Sequence, residues 1–332
     1  MTPLNVAVVG ATGLVGRKML EVLEERRFPV GELRLLASSR SAGRSVKFDG
    51  KEFKVRKLET GSFEGIQLAL FSAGASVSKE FAPAAVRSGA LVIDNSSAYR
   101  MEEGVPLVVP EVNPGEIAKH KGIIANPNCS TIQMVVPLKP LHDRWKIKRL
   151  VIATYQSVTG AGKRALIQLE SELAKEPNPE KKFPHAIANN VLPQIDIFFD
   201  DGYSREERKM KDETRKILGD ASIRITATCV RVPVVGGHSE AVNVEFERPY
   251  NLDEVRSLLG GTPGVCMQDD LGQSVYPMPI WSHDKDEIFV GRIRRDESIP
   301  NGLNLWIVSD NLRKGAATNA VQIAEAWMKH RH

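Results

Sequence analysis

The feature that most constrains the fold is a short valine-rich run followed at once by three glycines. The run is Leu4–Val9, and the glycines are Gly10, Gly13 and Gly16. A helical pattern over Leu14–Glu25 begins inside the same segment. A buried strand, a glycine turn and a helix in this order are typical of the first βα unit of a dinucleotide-binding domain. The chain is therefore predicted to open with such a unit.

Each glycine of this loop has its own predicted task. Gly10 allows a tight turn, Gly13 lets the backbone approach a pyrophosphate, and Gly16 lets the helix pack closely on the strand. The N–H groups at the helix N-terminus then face the phosphates. Thr12 stands where the commonest fingerprint has glycine. The loop is thus a variant, and a βα turn without a ligand remains an alternative.

The end of the second predicted strand, Glu32–Ala37, indicates which dinucleotide is preferred. NAD enzymes usually place a carboxylate there for the ribose 2′-hydroxyl. This chain continues Ser38-Ser39-Arg40-Ser41, which has no carboxylate. Arg40 and the serines suit a 2′-phosphate, so NADP is favoured over NAD. The alternative is that Arg40 is a solvated loop residue.

Strands and helices alternate through the rest of the first half of the chain. This alternation predicts an α/β, doubly wound (Rossmann-like) parallel sheet. The strands are predicted at Leu68–Ser72, Ala90–Asp94, Leu107–Val109 and Gly122–Ala125, with a helix at Ser78–Ser88.

The pattern changes after about Asn128. Longer strands of a mostly antiparallel sheet are predicted, and a helix over Lys314–Lys329 is expected to return to the first domain. The predicted domains are residues 1–127 plus 313–332, and a second, α+β domain of residues 128–312. The strands are predicted at Leu150–Gln156, Ile223–Val235, Ala241–Glu247 and Ile288–Ile293.

A candidate nucleophile, Cys129, lies where a helical pattern starts, in the run Asn126-Pro127-Asn128-Cys129-Ser130. Moving a proton from an unperturbed thiol to an imidazole costs roughly 2.7 kcal/mol, and a helix N-terminus typically offsets only about 1 kcal/mol of it. A basic partner is therefore needed. Among seven histidines, His238 stands out because it follows two glycines between two strands. A structural role for His238 remains open.

Several charged residues lie where a small anionic substrate would need them. Arg231 interrupts an apolar strand, so it either pairs with a protein carboxylate or binds a substrate carboxylate. Glu206 and Lys209 share a helix face behind a capping box, Ser204 to Glu207. The alternative for this pair is an exposed ion pair. Arg100 ends a strand-to-loop segment at the edge where open sheets bind ligands.

Composition excludes several classes of function. The net charge of +4 arises from 45 basic and 41 acidic residues without a basic block, so neither nucleic acid nor a membrane surface is a predicted partner. The chain runs from Thr2 directly into a strand, so no targeting segment is expected. Three cysteines leave an odd one, which favours the reducing cytoplasm. No metal site is predicted.

Several stretches together resemble the aspartate-semialdehyde dehydrogenases, nearly from end to end. The matching stretches include Gly-Ala-Thr-Gly-Leu-Val-Gly (10–16), Ile-Asp-Asn-Ser-Ser-Ala-Tyr-Arg (93–100), Asn-Pro-Asn-Cys-Ser-Thr (126–131), Gln-Ser-Val-Thr-Gly-Ala-Gly (156–162), His238-Ser-Glu and Ser-Asp-Asn-Leu-Arg-Lys-Gly (309–315). The resemblance also assigns roles to the two predicted domains. It implies that the first is an NADP-binding domain and the second a catalytic and dimerisation domain.

The resemblance also implies an activity and residue roles. The family reduces 4-phospho-L-aspartate with NADPH to aspartate 4-semialdehyde, on the route to lysine, threonine, methionine and isoleucine. By resemblance, Cys129 is the acyl-accepting nucleophile, His238 the general acid/base and Gln156 the group that positions the acyl. Arg231 and Glu206 would hold the substrate carboxylate and amino group. The phosphate would bind Arg100, Asn128 and Lys209, and NADP would bind Gly10, Thr12, Gly13, Leu14, Val15, Arg40, Ser41, Ser157, Thr159, Gly160 and Asn311.

The resemblance further implies a homodimer, with a homotetramer as the second option. Three rival functions remain. N-acetylglutamyl-phosphate reductase has the same chemical design, but its acetylated substrate offers no positive charge to Glu206. The others are a thiol acyltransferase or hydrolase whose glycine loop binds no cofactor, and a non-catalytic NADP-binding regulatory subunit.

Overall fold

The computed structural model describes residues 2–330, and this range contains fourteen strands and eight helices. The strands are β1 (Leu4–Val9), β2 (Val30–Ala37), β3 (Ser45–Phe48), β4 (Lys51–Lys54), β5 (Arg56–Lys57), β6 (Leu68–Phe71), β7 (Leu91–Asp94), β8 (Ile123–Ala125), β9 (Ile147–Gln156), β10 (Arg224–Arg231), β11 (His238–Phe246), β12 (Val265–Met267), β13 (Ile288–Asp296) and β14 (Gly302–Ser309). The helices are α1 (Leu14–Glu25), α2 (Ala75–Arg87), α3 (Cys129–Trp145), α4 (Lys163–Leu173), α5 (Arg205–Leu218), α6 (Leu252–Gly260), α7 (Pro279–Ser282) and α8 (Thr318–His330). Short 3-10 turns lie at Thr60–Phe63, Pro114–Lys119 and Val158–Ala161, and a π turn at Arg313–Ala317.

The chain divides into two compact units. The first unit comprises Met1–Asn128 and Ala316–His332, and the second unit is Cys129–Gly315. Met1, Arg331 and His332, which belong to the predicted domain ranges, lie outside the described residues. Within the described residues no helix is both long and apolar enough to cross a membrane.

The first unit is built on a six-stranded parallel sheet in the order β5-β2-β1-β6-β7-β8. The strand order reverses direction after β1, so the sheet is doubly wound, as predicted. Helices α1 and α8 supply Leu23, Val321 and Ala324 to the same apolar core as Val6 and Val8 of β1. The C-terminal helix is therefore part of the core of this unit.

The turn between β1 and α1 requires glycine at two positions. Gly10 has a φ of +86°, a conformation that favours glycine. A Cβ on Gly16 would lie 2.2 Å from the carbonyl oxygen of Gly10, so only glycine lets α1 approach this close to the turn. These two glycines therefore serve the turn and the packing expected of them.

The second unit carries a six-stranded mixed sheet in the order β10-β9-β11-β14-β13-β12. Three of its five strand pairs are antiparallel, and β10–β9 and β12–β13 are parallel. Alternate residues of the central strands face opposite sides of the sheet. On β9, Thr154 and Gln156 are buried on the side that α3 and α5 cover, whereas Tyr155 is exposed on the other side.

The first unit differs from the sequence prediction at Leu107–Val109 and at three short strands that were not predicted, β3, β4 and β5. Leu107–Val109 makes a single bridge between Leu107 and Ala125 rather than a strand, because Pro106 and Pro110 flank it and cannot donate ladder hydrogen bonds. A hairpin of β3 and β4 was not predicted. Its turn residues, Asp49 and Gly50, both have positive φ, and Asp-Gly is a strong hairpin signal.

The second unit also contains a strand that was not predicted. β14 lies between β11 and β13 in the sheet. Its buried Leu303, Leu305 and Ile307 alternate with the half-buried Asn304 and Trp306. The period-2 pattern of a strand was therefore present in the sequence and was overlooked.

Candidate active site

Cys129 is the first residue of α3, so its thiol lies at the positive end of the helix dipole. The side chain is half-buried. A Cβ on Gly315 would come within 2.9 Å of the Cβ of Cys129. Gly315 is therefore part of the wall around the thiol, a role that the sequence reasoning missed. The signal was present, because Gly315 lies in one of the stretches that carry the family resemblance.

Gln156, the last residue of β9, links the start of α3 to α5. Its amide nitrogen donates to the hydroxyl of Ser130 and, at 3.0 Å, to Oε1 of Glu206. Its amide oxygen is buried and has no hydrogen-bond partner among the described residues. An amide held by its nitrogen, with the oxygen left to accept, is able to orient a bound polar group.

Glu206 and Lys209 lie at the start of α5, behind the predicted capping box of Ser204 and Glu207. Their ion pair measures 3.1 Å between Lys209 Nζ and Glu206 Oε2. The side chain of Glu206 is only 7% exposed, and Lys209 also lies 3.5 Å from a carboxylate oxygen of Asp196. The structure thus excludes the alternative that Glu206 belongs to an exposed ion pair.

Arg231 ends β10 directly beside Gln156, its partner in the parallel pair β9–β10. The guanidinium is buried and donates from Nη1 to the carbonyl oxygen of Ser157 at 2.6 Å. It makes no ion pair with any carboxylate that the structure describes, and its Nε has no hydrogen-bond partner there. Burial lowers the pKa of Arg231, while Glu206 and Cys129 act in the opposite direction. A buried cation in this state favours a substrate carboxylate over a protein one.

His238 is the first residue of β11 and is completely buried. Its Nδ1 accepts a hydrogen bond of 3.0 Å from the backbone N–H of Ser157. Nε2 has no hydrogen-bond partner among the described residues. Burial, and then the nearby Arg231, lower the pKa of His238 to about 3. The ring is therefore neutral at physiological pH.

Gly160 allows His238 and Arg231 to converge. A Cβ at this position would lie 3.1 Å from Arg231 Nη1 and 3.2 Å from His238 Nε2. The structure thus brings together, within the second unit, the predicted residues of the reaction site. These are Cys129, Gln156, Glu206, Lys209, Arg231 and His238.

A second buried layer lies behind this site and was not predicted. Glu240 is fully buried on the same face of β11 as His238, and burial raises the pKa of its carboxyl well above the usual value. Ser130 and Gln133 are polar neighbours that oppose this shift. Gln133 also donates to the backbone oxygen of His238 at 3.2 Å. A charged residue two positions after His238 in an apolar strand was the available signal.

The predicted cofactor residues of the second unit also lie together. The hydroxyls of Ser157 and Thr159 are 2.8 Å apart, and Thr159 Oγ1 donates to Asn311 Oδ1 at 3.1 Å. All three are buried, and Gly160 completes the same 3-10 turn. This turn therefore joins the predicted cofactor residues to the residues that hold His238 and Arg231.

The first unit holds the remaining predicted residues. Thr12, Leu14 and Val15 are half-buried and Gly13 is exposed, and no side chain caps the N-terminus of α1. This uncapped helix start beside the Gly10 turn fits a dinucleotide phosphate. Arg40 is exposed, in a turn whose Ser41 N–H donates to Ser38 O.

Arg100 and Asn128 are buried in the first unit. Arg100 donates from Nε to the backbone oxygen of Asn126 and from Nη2 to that of Asn95, each at 3.0 Å. Asn126 in turn donates to the side chain of Asn95 and accepts from Asn319. This asparagine cluster fixes the guanidinium of Arg100 and the chain just before the nucleophile.

Two family models match the chain and define its class. Residues 5–120 match the semialdehyde dehydrogenase NAD binding domain, and residues 138–314 match the semialdehyde dehydrogenase dimerisation domain. The chain is thus a semialdehyde dehydrogenase with a nucleotide-binding domain and a dimerisation domain.

Individual relatives narrow this class. The chain is 56% identical to the aspartate-semialdehyde dehydrogenase of Aquifex aeolicus and 50% identical to that of Bacillus subtilis, with 98% of each chain covered. The crystal structure of aspartate semialdehyde dehydrogenase II complexed with ASA from Vibrio cholerae has a TM-score of 0.95 at 48% identity, with 99% of each chain covered. The chain belongs to the aspartate-semialdehyde dehydrogenase family. It is an oxidoreductase of amino-acid biosynthesis, and the resemblance stated from the sequence is confirmed.

A more distant structure adds a cofactor to the comparison. Aspartate semialdehyde dehydrogenase with NADP from Candida albicans has a TM-score of 0.78 at 27% identity, and the match covers 98% of this chain and 99% of that one.

Proposed function

We propose that the protein reduces 4-phospho-L-aspartate to L-aspartate 4-semialdehyde and phosphate, with NADPH as reductant and a thioester on Cys129 as intermediate. This step serves the synthesis of lysine, threonine, methionine and isoleucine. The observation that carries the proposal is the pair of buried opposite charges, Glu206 and Arg231, on either side of Gln156. An α-amino acid carries one positive and one negative group, and each has a counter-charge there.

The charged residues have separate tasks in this proposal. Arg231 binds the α-carboxylate, since its guanidinium has no carboxylate partner among the described residues. Glu206 binds the α-ammonium, and Gln156 positions the reacting acyl group. Arg100, Asn128 and Lys209 bind the phosphate, whose leaving is favoured when its charge is neutralised.

Cys129 attacks the acyl carbon as a thiolate, forming a C–S bond while the C–O bond to phosphate breaks. The helix N-terminus of α3 and the charge of Arg231 stabilise the thiolate. His238 faces the reacting carbonyl as the acid/base group of the site. A thioester accepts hydride far more readily than a carboxylate, which explains why the acyl group is first transferred to sulfur.

NADPH supplies the hydride when it is bound. The first unit would hold its phosphates at Gly10, Thr12, Gly13, Leu14 and Val15, and the 2′-phosphate at Arg40 and Ser41. In the second unit, Ser157, Thr159, Gly160 and Asn311 would contact the cofactor. The preference for NADP is supported by Arg40 and by the absence of a carboxylate among Ser38-Ser39-Arg40-Ser41. The Candida albicans relative has a crystal structure with NADP, which supports NADP as the cofactor.

The two units have distinct proposed roles. Residues 1–127 plus 313–332 bind the cofactor, and residues 128–312 carry catalysis and dimerisation. A homodimer is supported by the dimerisation-domain match. It is also supported by the outer face of the second sheet, where an apolar groove is lined by Val151, Ala241, Pro277 and Trp306. A tetramer would need a further contact surface.

A cytoplasmic location is part of the proposal. Cys129, Cys229 and Cys266 form no disulfide with one another. Cys229 is buried in β10, and burial raises the pKa of its thiol. Cysteines that remain unpaired are typical of a reducing compartment.

The reverse reaction tests the whole proposal. Purified protein should reduce NADP in a phosphate-dependent manner with aspartate semialdehyde, and far more slowly with N-acetylglutamate semialdehyde. NADP should have a lower KM than NAD. Cys129→Ala should abolish turnover while NADPH still quenches the protein fluorescence. Comparable rates with the two aldehydes, or turnover by Cys129→Ala, would overturn the proposal.

A further inference from the structure

An irregular segment, residues 182–192, contacts Arg231 at two places. The backbones of Leu192 and Arg231 form a two-way pair, in which the Leu192 N–H donates to the Arg231 oxygen at 2.9 Å and the Arg231 N–H donates to the Leu192 oxygen at 2.8 Å. The ring of Phe183 makes the second contact, since the guanidinium carbon of Arg231 lies over it, 5.9 Å from the ring centroid. The segment therefore borders both the main chain and the side chain of Arg231.

Two polar side chains of α4 hold this segment. Gln168 is completely buried, and its amide oxygen accepts from the Phe183 N–H at 2.8 Å and from the N–H before it at 2.6 Å. Glu172 accepts through one carboxylate oxygen from the Ile187 N–H at 2.7 Å and from the next N–H at 2.8 Å. The nitrogen of Gln168 donates to the other oxygen of Glu172 at 2.7 Å. A polar network with its donors and acceptors paired in this way keeps the segment in one conformation.

A small apolar cluster joins the same segment to the turn that borders Arg231. Phe183 packs against this cluster, whose buried members are Val158, Ala165, Leu169, Ile187 and Leu192. Val158 belongs to the turn Val158–Ala161, in which a Cβ on Gly160 would lie 3.1 Å from Arg231 Nη1. The position of Phe183 is therefore set by apolar packing as well as by the hydrogen bonds of α4.

An aromatic ring at this place suits a guanidinium that has to bind an anion. Arg231 Nη1 donates to the Ser157 oxygen, and Nε has no hydrogen-bond partner among the described residues. A cation over an aromatic ring is attracted by the ring's electrons, and the N–H donors at the edge of the guanidinium stay available for a carboxylate. The ring also excludes water on its side, and opposite charges attract more strongly in such a medium of low dielectric constant.

We propose that Phe183 is a positioning residue of the substrate site, whose ring covers the guanidinium of Arg231 and holds it in place for a carboxylate of the substrate. This inference rests on the proposed function, in which that group is the α-carboxylate. Phe183 acts through Arg231, so it affects the binding of the substrate and not the chemical steps at Cys129. Gln168 and Glu172 support the same task by holding the segment that carries the ring.

Two substitutions of Phe183 separate the ring from its bulk. Phe183→Leu keeps an apolar side chain in the cluster and removes the aromatic face, whereas Phe183→Tyr keeps the ring. In Phe183→Leu the KM for aspartate semialdehyde should rise about 10-fold, with kcat and the KM for NADP unchanged. A rise in KM at constant kcat is the result expected when an interaction common to the ground state and the transition state is lost. Phe183→Tyr should retain the wild-type KM.

A substitution on α4 tests the support of the segment independently. Glu172→Ala removes the acceptor of the Ile187 N–H, so the segment should loosen and the KM for aspartate semialdehyde should rise about 3-fold or more. Glu170→Ala is the matched control, because Glu170 is an exposed glutamate of the same helix. A KM for Glu172→Ala that equals the KM for Glu170→Ala would contradict this supporting role.

A chemical label reports on the cover of Arg231 without any substrate. Phenylglyoxal modifies accessible guanidinium groups, and mass spectrometry of peptides gives the rate at each arginine. Arg231 should react faster in Phe183→Leu than in wild type and Phe183→Tyr, whereas the exposed Arg44 should react at the same rate in all three. Circular dichroism checks that each variant is folded.

Several results would show that the inference is wrong. One is a Phe183→Leu enzyme with the wild-type KM for aspartate semialdehyde, or with a KM that rises equally in Phe183→Tyr. Another is an equal rise in the KM for NADP, which is expected if the ring only supports the turn Val158–Ala161. A third is an unchanged rate of Arg231 modification in Phe183→Leu. The labelling needs no substrate, so a wild-type protein that fails the aspartate-semialdehyde assay would contradict the proposed function alone.

Discussion

At the scale of single residues, the site depends on two glycines as well as on its polar side chains. Gly160 leaves room for the side chains of Arg231 and His238, and Gly315 leaves room for Cys129. The chemistry-bearing residues were predicted from the sequence because their types and motifs are distinctive. Gly315 was not predicted. A glycine is needed there because Cys129 packs against it, and a single sequence does not reveal which residues are neighbours in space.

We predict that Gly315→Ala lowers kcat on the order of 100-fold. The added Cβ would lie 2.9 Å from the Cβ of Cys129, so the thiol or the π turn must shift. The measurements are kcat and the rate of Cys129 alkylation. Gly61→Ala is the control, because Gly61 is exposed and its added Cβ meets nothing within 4 Å. A Gly315→Ala enzyme with wild-type kcat and alkylation rate would refute this role.

At the scale of elements, the ends of helices and strands position the site. Cys129 starts α3, Glu206 lies in the first turn of α5, Gln156 ends β9 and His238 starts β11. The capping box of α5 and the strand that ends at Gln156 were predicted, because caps and β-rich runs leave local signals. β14 was missed although it is central to the sheet and residues 303–307 alternate between buried and half-buried side chains.

We predict that Ser204→Ala raises KM for aspartate semialdehyde more than KM for NADP. The Ser204 hydroxyl accepts from the Glu207 N–H, so its loss loosens the turn that carries Glu206 and costs about 1 kcal/mol of stability. Asn251→Ala is the matched control. Asn251 caps α6 in the same way, by accepting from Asp253 and Glu254. Steady-state kinetics and urea denaturation give both readouts.

The control separates stability from positioning. Both variants should lose a similar free energy of unfolding, and only Ser204→Ala should change KM. Equal KM values in the two variants would show that the cap of α5 serves the fold alone.

At the scale of the whole molecule, the second sheet has one face on the site and the other face towards solvent. Thr154, Gln156, His238 and Glu240 are buried on the first face. Tyr155 and Trp306 lie on the second, with ring centroids 5.5 Å apart. The fold class follows from sequence patterns. The apolar patch on the outer face could not be predicted from the sequence. Its residues are distant in the sequence, and they form a patch only because the sheet places them side by side.

We predict that Trp306→Arg raises the dimer Kd at least about 30-fold, which corresponds to about 2 kcal/mol. A second copy of the chain would bury this face, and an unpaired guanidinium there would be desolvated. Sedimentation equilibrium measures the change. Leu173→Arg is the control, because Leu173 is 57% exposed at the end of α4 and away from the groove. Equal dimerisation in the two variants would place the interface on another surface.

The contact between Gly315 and Cys129 has a consequence for how the second unit is inserted into the chain. Cys129 is the first residue of the second unit and Gly315 is its last, so the two ends of this unit lie next to each other. Such adjoining ends make the segment an insertion that a circular permutation could close with a very short linker. The joining point would then be at Cys129, the proposed nucleophile. A chimera that exchanges this segment between related enzymes should therefore have its junctions several residues away from Cys129.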